Sequence, residues 1–243
     1  MFLVRVLKRR ASFQDRFRHY HCFAATLLDR IYFLTQQYHR FKINIHGAEA
    51  LLSYVDRKRG CLLLGSHLGS FEVARACGLS NREVDIKLVM HEDNATMINS
   101  AIYQMLPSLP PSIISLGKPD SMLRVKECVD QGGVVGILAD RVMKNEKTVP
   151  CDFLGRSANF PLGPMLLGSV LNVPVFLFFG LYRGGNRYDV YFELFAEQIE
   201  IQRQNREEEI QLLTQQYVER LEYYCRLAPS NWFNFYNYWD ETL

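Results

Sequence analysis

The sequence predicts an α/β fold, one domain with a largely parallel central sheet flanked by helices, and three observations carry that prediction. Short apolar runs at residues 61–64 and 133–139 suit strands buried in the sheet, and residues 173–181 are strongly apolar as well. Stretches of helical period lie between such runs and end at Gly or Pro, the alternation expected when helices cross over a parallel sheet. At 243 residues with 48% hydrophobic side chains, the chain is long enough for one substantial core.

In chain order, residues 12–38 read as one amphipathic helix, with Phe13, Phe17, Tyr20, Ala24, Leu27, Ile31 and Leu34 recurring at three or four and Ser12 as its cap. Arg5, Lys8, Arg9, Arg10, Arg16 and Arg18 crowd the first twenty residues against Asp15 alone. Residues 1–40 are therefore expected to form a basic, membrane-facing helical segment and residues 41–243 the rest of the domain. Packing of the helix on the domain and burial in the headgroup layer both fit the pattern.

Residues 41–46 alternate like a strand and residues 48–59 look helical. Residues 84–90 alternate again, placing His91, Glu92 and Asp93 at a strand end, where a solvated loop is favoured over substrate contact. A helix at 94–106, a rigid connection through Pro107, Pro110 and Pro111, a strand at 113–116 and a helix at 120–131 follow. Residues 173–181 and 188–195 flank Arg183-Gly184-Gly185-Asn186-Arg187 and read as a hairpin at the sheet edge. A helix at 205–227 has an acidic first turn, and residues 231–239 are too aromatic for a free tail, so they form either a lid or a membrane contact.

A net charge of +2 is too small to argue for nucleic acid. The six cysteines are scattered without a C-x-x-C pair, so neither a metal site nor a disulfide framework is expected. Met1 to Val6 is too short to span a bilayer, and no run reaches the roughly 18 apolar residues that a spanning helix requires.

The chemistry concentrates in Cys61-Leu62-Leu63-Leu64-Gly65-Ser66-His67-Leu68-Gly69-Ser70-Phe71-Glu72. His67 sits in the turn past a buried strand, where ligands bind in open α/β sheets. On a continuous helix His67 and Glu72 would point about 140° apart, so they meet only across a turn, which Gly69 permits. A carboxylate on one imidazole nitrogen leaves the other as a general base, and Ser70 is placed to start the next helix. Arg141, beside Asp140 at another strand end, suits a phosphate or carboxylate, with a salt bridge to Asp140 or Asp152 as the structural alternative. Residues 153–167, with Phe153 and Gly155, either pass close to an apolar ligand or form an ordinary loop before a helix at 164–171.

The strand followed by Ser-His, four residues and Glu resembles the His-x4-Asp/Glu signature of the lysophospholipid acyltransferase superfamily, in particular its lipid A late acyltransferase (lauroyl/myristoyl transferase) branch. Residues 132–141, 153–164 and 173–175 look like that branch's later blocks, in order, and residues 231–233 echo its closing segment. The resemblance covers roughly residues 45–195. It implies transfer of a fatty acyl group from acyl-carrier protein or acyl-CoA to a hydroxyl of a lipid or glycolipid, with His67 as base, Glu72 as its partner and Arg141, Gly69, Ser70, Phe153 and Gly155 on the substrate side. No metal or cofactor is implied beyond the thioester donor. Members usually begin with a membrane-spanning anchor, which this sequence does not show; the expectation is peripheral attachment to the cytoplasmic face of a bacterial inner membrane, the alternative a start that has been lost or misassigned. Lysophospholipid or glycerol-phosphate acylation, and a non-catalytic lipid-binding or scaffold protein, are the alternatives. A serine hydrolase is disfavoured because no G-x-S-x-G elbow is present.

Overall fold

The computed structural model describes residues 1–77, 84–91, 113–116, 120–143 and 146–239. Its centre is a seven-stranded sheet built from β1 (Lys42–His46), β2 (Cys61–Gly65), β3 (Ile86–His91), β4 (Ile113–Leu116), β5 (Val134–Leu138), β8 (Val175–Tyr182) and β9 (Arg187–Ala196), in the order β1-β9-β8-β2-β5-β3-β4. Every pair is parallel except the β8–β9 hairpin. That hairpin was expected at the edge, but β1 pairs parallel to β9 and closes that side of the sheet. β2 lies at the centre, and all five of its residues are buried.

Period-2 alternation divides the apolar strands between two cores. Leu62, Leu64, Val135, Ile137, Val175, Leu177 and Phe179 face one layer with α1 (Phe2–Leu7), α4 (Ser121–Asp130), α5 (Gly163–Leu171) and α6 (Arg206–Leu227). Cys61, Leu63, Val134, Phe176 and Phe178 face the other, with α2 (Phe13–Leu34) and α3 (Ala48–Asp56). The six cysteines are buried and unpaired.

Two segments differ from expectation. The stretch around Phe153 and Gly155 is a second, two-stranded sheet, β6 (Thr148–Phe153) with β7 (Arg156–Pro161), joined by Leu154 and Gly155 at φ 52° and 75°. Two successive left-handed residues are what a tight hairpin requires. After His67 the helix does not begin at Ser70; only Glu72–Ala76 is helical, as a 3₁₀ turn. The backbone N–H groups of Gly69 and Ser70 are already committed to Asn231 O and Gly180 O, both at 2.8 Å. The expected helix at 94–106, the following prolines, Glu92 and Asp93 lie outside the described residues.

Helix α2 starts as expected at Ser12, whose hydroxyl accepts from Asp15 N at 3.1 Å while the Asp15 carboxylate accepts from Ser12 N at 2.8 Å. Its orientation is unusual. The residues turned to the domain are His19, Cys22, Thr26, Asp29 and Phe33, whereas Phe13, Phe17, Tyr20, Ala24 and Leu28 are exposed. At about 100° per residue each set spans roughly 80° and the two are centred roughly 180° apart. The buried polar groups have distant partners: His19 Nδ1 lies 3.2 Å from Ser230 O, and the Tyr188 hydroxyl donates to Asp29 at 2.7 Å. In α1, Phe2 and Val6 are buried, Phe2 edge-on to Trp232 at 4.7 Å between centroids.

Gly69 has φ 74°, and a Cβ there would lie 1.9 Å from Gly180 O, a backbone atom that cannot swing aside. Gly69→Ala is therefore expected to cost more than about 2 kcal/mol, read as a lowered thermal midpoint. A midpoint equal to that of the parent would show that this turn relaxes freely.

Candidate active site

The end of β2 is fastened before the chain turns. Gly65 O accepts from Ala139 N at 3.0 Å and from the Tyr217 hydroxyl at 2.8 Å. Because β2 and β5 are parallel neighbours in the register Gly65↔Leu138, their carboxyl ends deliver His67 and Asp140 side by side.

Asp140 is wholly buried and collects donors. Its carboxylate accepts from His67 N at 3.0 Å, from His67 Nδ1 at 2.8 Å, from Trp232 Nε1 at 2.7 Å and from Asn234 Nδ2 at 3.1 Å. Burial alone would raise its pKa. The charge and hydrogen bond of His67, the charge of Arg141 and the Trp232 N–H outweigh burial and hold the carboxyl below its ordinary value. In the neutral ring, an ionised acceptor on Nδ1 keeps the proton there and leaves the lone pair on Nε2. The His67 side chain is 24% exposed and lines a cavity of about 610 Å³, within a substrate's reach.

Sequence reasoning expected Glu72 on the imidazole, and the structure corrects this. Glu72 Oε1 lies 2.7 Å from Arg30 Nε of α2, and among the described residues no hydrogen bond joins it to His67. The turn at Gly69 and Ser70 carries the chain towards α2 before Glu72 is reached. The Arg30 N–H is not aimed along the oxygen, so the contact is an ion pair rather than an aligned hydrogen bond. Both residues line the cavity.

Gly69, Ser70 and Arg141 also line it, and the buried Ser70 hydroxyl has no hydrogen-bond partner among the described residues. Arg141 pairs with neither expected carboxylate through a hydrogen bond. Its Nε donates to Asn234 Oδ1 at 2.6 Å and its Nη2 to Phe233 O at 2.8 Å. Phe153 and Gly155 are not at the cavity. Phe153 is fully buried against Phe160, Trp232 and Trp239, and Gly155 is exposed at the hairpin turn. The wall expected from them comes instead from Pro161, Leu166, Leu167 and Val170 on the segment that follows, together with Phe233 and Phe235. Residues missed in the sequence are Asp140 as partner of His67, Arg30, and the Trp232 and Asn234 donors. Among the described residues no group of three or more His, Cys, Asp or Glu is arranged to hold a metal ion.

A His–Asp pair at paired strand ends, its carboxylate buried and its imidazole opening on a mostly apolar cavity with a few charged groups, fits chemistry on a lipid. A family model of bacterial lipid A biosynthesis acyltransferases matches residues 11–241. The chain belongs to that family. A search of curated proteins gave no match. The protein is thus an acyltransferase of lipid A biosynthesis, with a lipid acceptor and an acyl donor. Among the described residues of this acyltransferase no helix is long and apolar enough to cross a membrane.

Because the Asp140 pKa is depressed in the folded chain, its stabilising contribution is complete above the ordinary carboxylate value of about 4 and is lost as pH falls through the lower folded value. Urea midpoints of wild type and Asp140→Asn should therefore converge below pH ~4 and differ most above it. A gap independent of pH would mean that the Asp140 charge adds nothing to stability.

Proposed function

We propose that this acyltransferase moves a fatty acyl group from a thioester of acyl-carrier protein or coenzyme A to a hydroxyl of a glycolipid precursor of lipid A. It works at the cytoplasmic face of a bacterial inner membrane, attached peripherally. The observation that carries the reading is the 2.8 Å contact of His67 Nδ1 with buried, ionised Asp140, made while the ring lines the cavity.

In this reading His67 Nε2 takes the proton of the acceptor hydroxyl as its oxygen attacks the thioester carbonyl. The tetrahedral intermediate expels the thiolate, which recovers the proton from the imidazolium. Asp140 holds the Nδ1–H tautomer and offsets the positive charge that grows on the ring, so it acts through His67 as a positioning residue. The Ser70 hydroxyl, buried at the cavity wall and without a partner among the described residues, is available to donate to the carbonyl oxygen as charge develops there. Arg141, fixed by Asn234 and Phe233, and Arg30, paired to Glu72, supply positive charge for a phosphate or carboxylate of a substrate. The apolar wall takes acyl chain. A thioester is already activated, so the reading calls for no metal or bound cofactor.

Kinetics of variants that keep their near-ultraviolet circular dichroism test these roles. His67→Ala is expected to lower kcat on the order of 10²- to 10⁴-fold, with gain of one acyl group on the acceptor followed by mass spectrometry. Asp140→Asn should lose kcat over the same range. Glu72→Gln should act mainly on KM by freeing Arg30. Equal kcat losses in Glu72→Gln and Asp140→Asn would overturn the assignment of Asp140 as the partner of the base. Ser70→Ala is expected to lower kcat by roughly 10²-fold, and unaltered turnover would remove it from the carbonyl.

A further inference from the structure

The apolar stripe of α2 faces away from the protein. Phe13 is 75% exposed, Phe17 62%, Tyr20 61% and Leu28 57%, on an arc opposite the one that packs on the sheet. Soluble surfaces seldom carry a contiguous aromatic ridge of this kind without a partner. Two further features say what the partner is.

The first is charge. Lys8, Arg10, Arg16 and Arg18 are exposed around the ridge, and the only acidic residue before Asp29 is Asp15, which is already bonded twice by Arg9 at 2.7 and 3.0 Å. Positive charge that has no ion pair among the described residues, beside exposed aromatics, suits an anionic lipid surface, whereas the centre of a protein interface is depleted of charge. The second is continuity with the cavity. Tyr20 stacks on Phe235, ring centroids 5.0 Å apart and planes 6° apart, and Phe235 lines the cavity together with Phe23 and Leu27 of α2. Val170 and Met122 at the cavity are themselves 70% and 44% exposed, so its rim is apolar as well.

We infer that the exposed face of α2, from Phe13 to Leu28, together with Phe235, docks on an anionic bilayer with its aromatic rings at the headgroup boundary. The cavity mouth then opens onto the lipid phase, and a lipid substrate enters sideways from the membrane rather than through water. This rests on the acyl-transfer reading only in taking the cavity as the place where lipid binds.

Vesicle flotation of the full chain tests the inference, using phosphatidylcholine alone and phosphatidylcholine with phosphatidylglycerol. Wild type should float with the anionic vesicles, more weakly as salt rises. Phe13→Ser with Phe17→Ser should reduce partitioning by more than tenfold, and Arg10→Gln with Arg16→Gln and Arg18→Gln should remove most of the salt-sensitive part. None of these side chains lines the cavity, so transfer to a detergent-dispersed lipid A precursor should be unchanged. Binding by the double-serine variant equal to that of wild type overturns the inference. So does light scattering that shows a wild-type dimer and a double-serine monomer, which would make the ridge an interface between copies. Absence of transfer by wild type in detergent, with flotation as expected, would sink the acyl-transfer reading and leave the docking surface standing.

Discussion

A carboxylate taken fully out of water costs several kcal/mol unless donors surround it, and this fold is arranged so that Asp140 has them. The donors come from two distant places, the turn after β2 and residues 232–234 near the other end of the chain. Meeting the needs of one charge therefore draws three segments together. Further bonds hold them: Phe233 N donates to His67 O at 2.8 Å, and the Asn231 side chain bonds both N and O of Tyr182 at 2.7 and 3.2 Å. The aromatic segment is thus packed on the domain, and its Phe233 and Phe235 form part of the cavity wall. It is the wall that keeps water from the carboxylate, and withdrawing it would strip Asp140 of two donors at once.

How far this was legible depends on the range of each contact. The buried strand, the turn and the place of His67 past the strand end could be read from twelve consecutive residues, because a strand end and a glycine turn are local. The hydrogen-bond partner of His67 could not. Asp140 was visible at a strand end, but its distance from His67 depends on β5 lying beside β2, past the intervening β3 and β4, and no local pattern reports strand order. Glu72 drew attention through spacing alone, and spacing across a turn does not give direction. At Phe153 and Gly155 the apolar content was read without its period; burial alternates residue by residue along β6, the signature of a hairpin rather than of a loop along a ligand.

Helix α2 shows a different limit. The helical period held over Phe13–Leu34, within the expected 12–38, yet period identifies a stripe and not what the stripe faces: Leu27 of the expected stripe turns to the cavity while Phe13, Phe17 and Tyr20 are exposed. The opposite side, with His19, Thr26 and Asp29, reads as polar and hence exposed, but the sheet and the segment after α6 supply partners that convert it into a buried face. Such partners lie far away in sequence: Ser230 for His19, Tyr188 for Asp29, Glu72 for Arg30. A helix whose polar face is satisfied internally is free to leave its apolar face without one.

The same helix therefore joins surface to chemistry. Phe13 and Phe17 stand near its start, while Phe23, Leu27 and Arg30 in its second half line the cavity that holds His67. At about 1.5 Å per residue, the span from Phe13 to Arg30 is roughly 25 Å, so in the proposed docking one rigid rod lies along the headgroup layer and ends beside Glu72. Interfacial helices sit roughly 5–10 Å into that boundary, a depth that leaves a strand-end histidine on the protein side and the apolar rim on the lipid side. An acceptor held with its headgroup near Arg30 and Arg141 would keep its chains in the bilayer until a hydroxyl reached His67. The enzyme would then desolvate the reacting hydroxyl without having to extract the whole lipid, whose chains cost about 0.8 kcal/mol for each methylene moved into water.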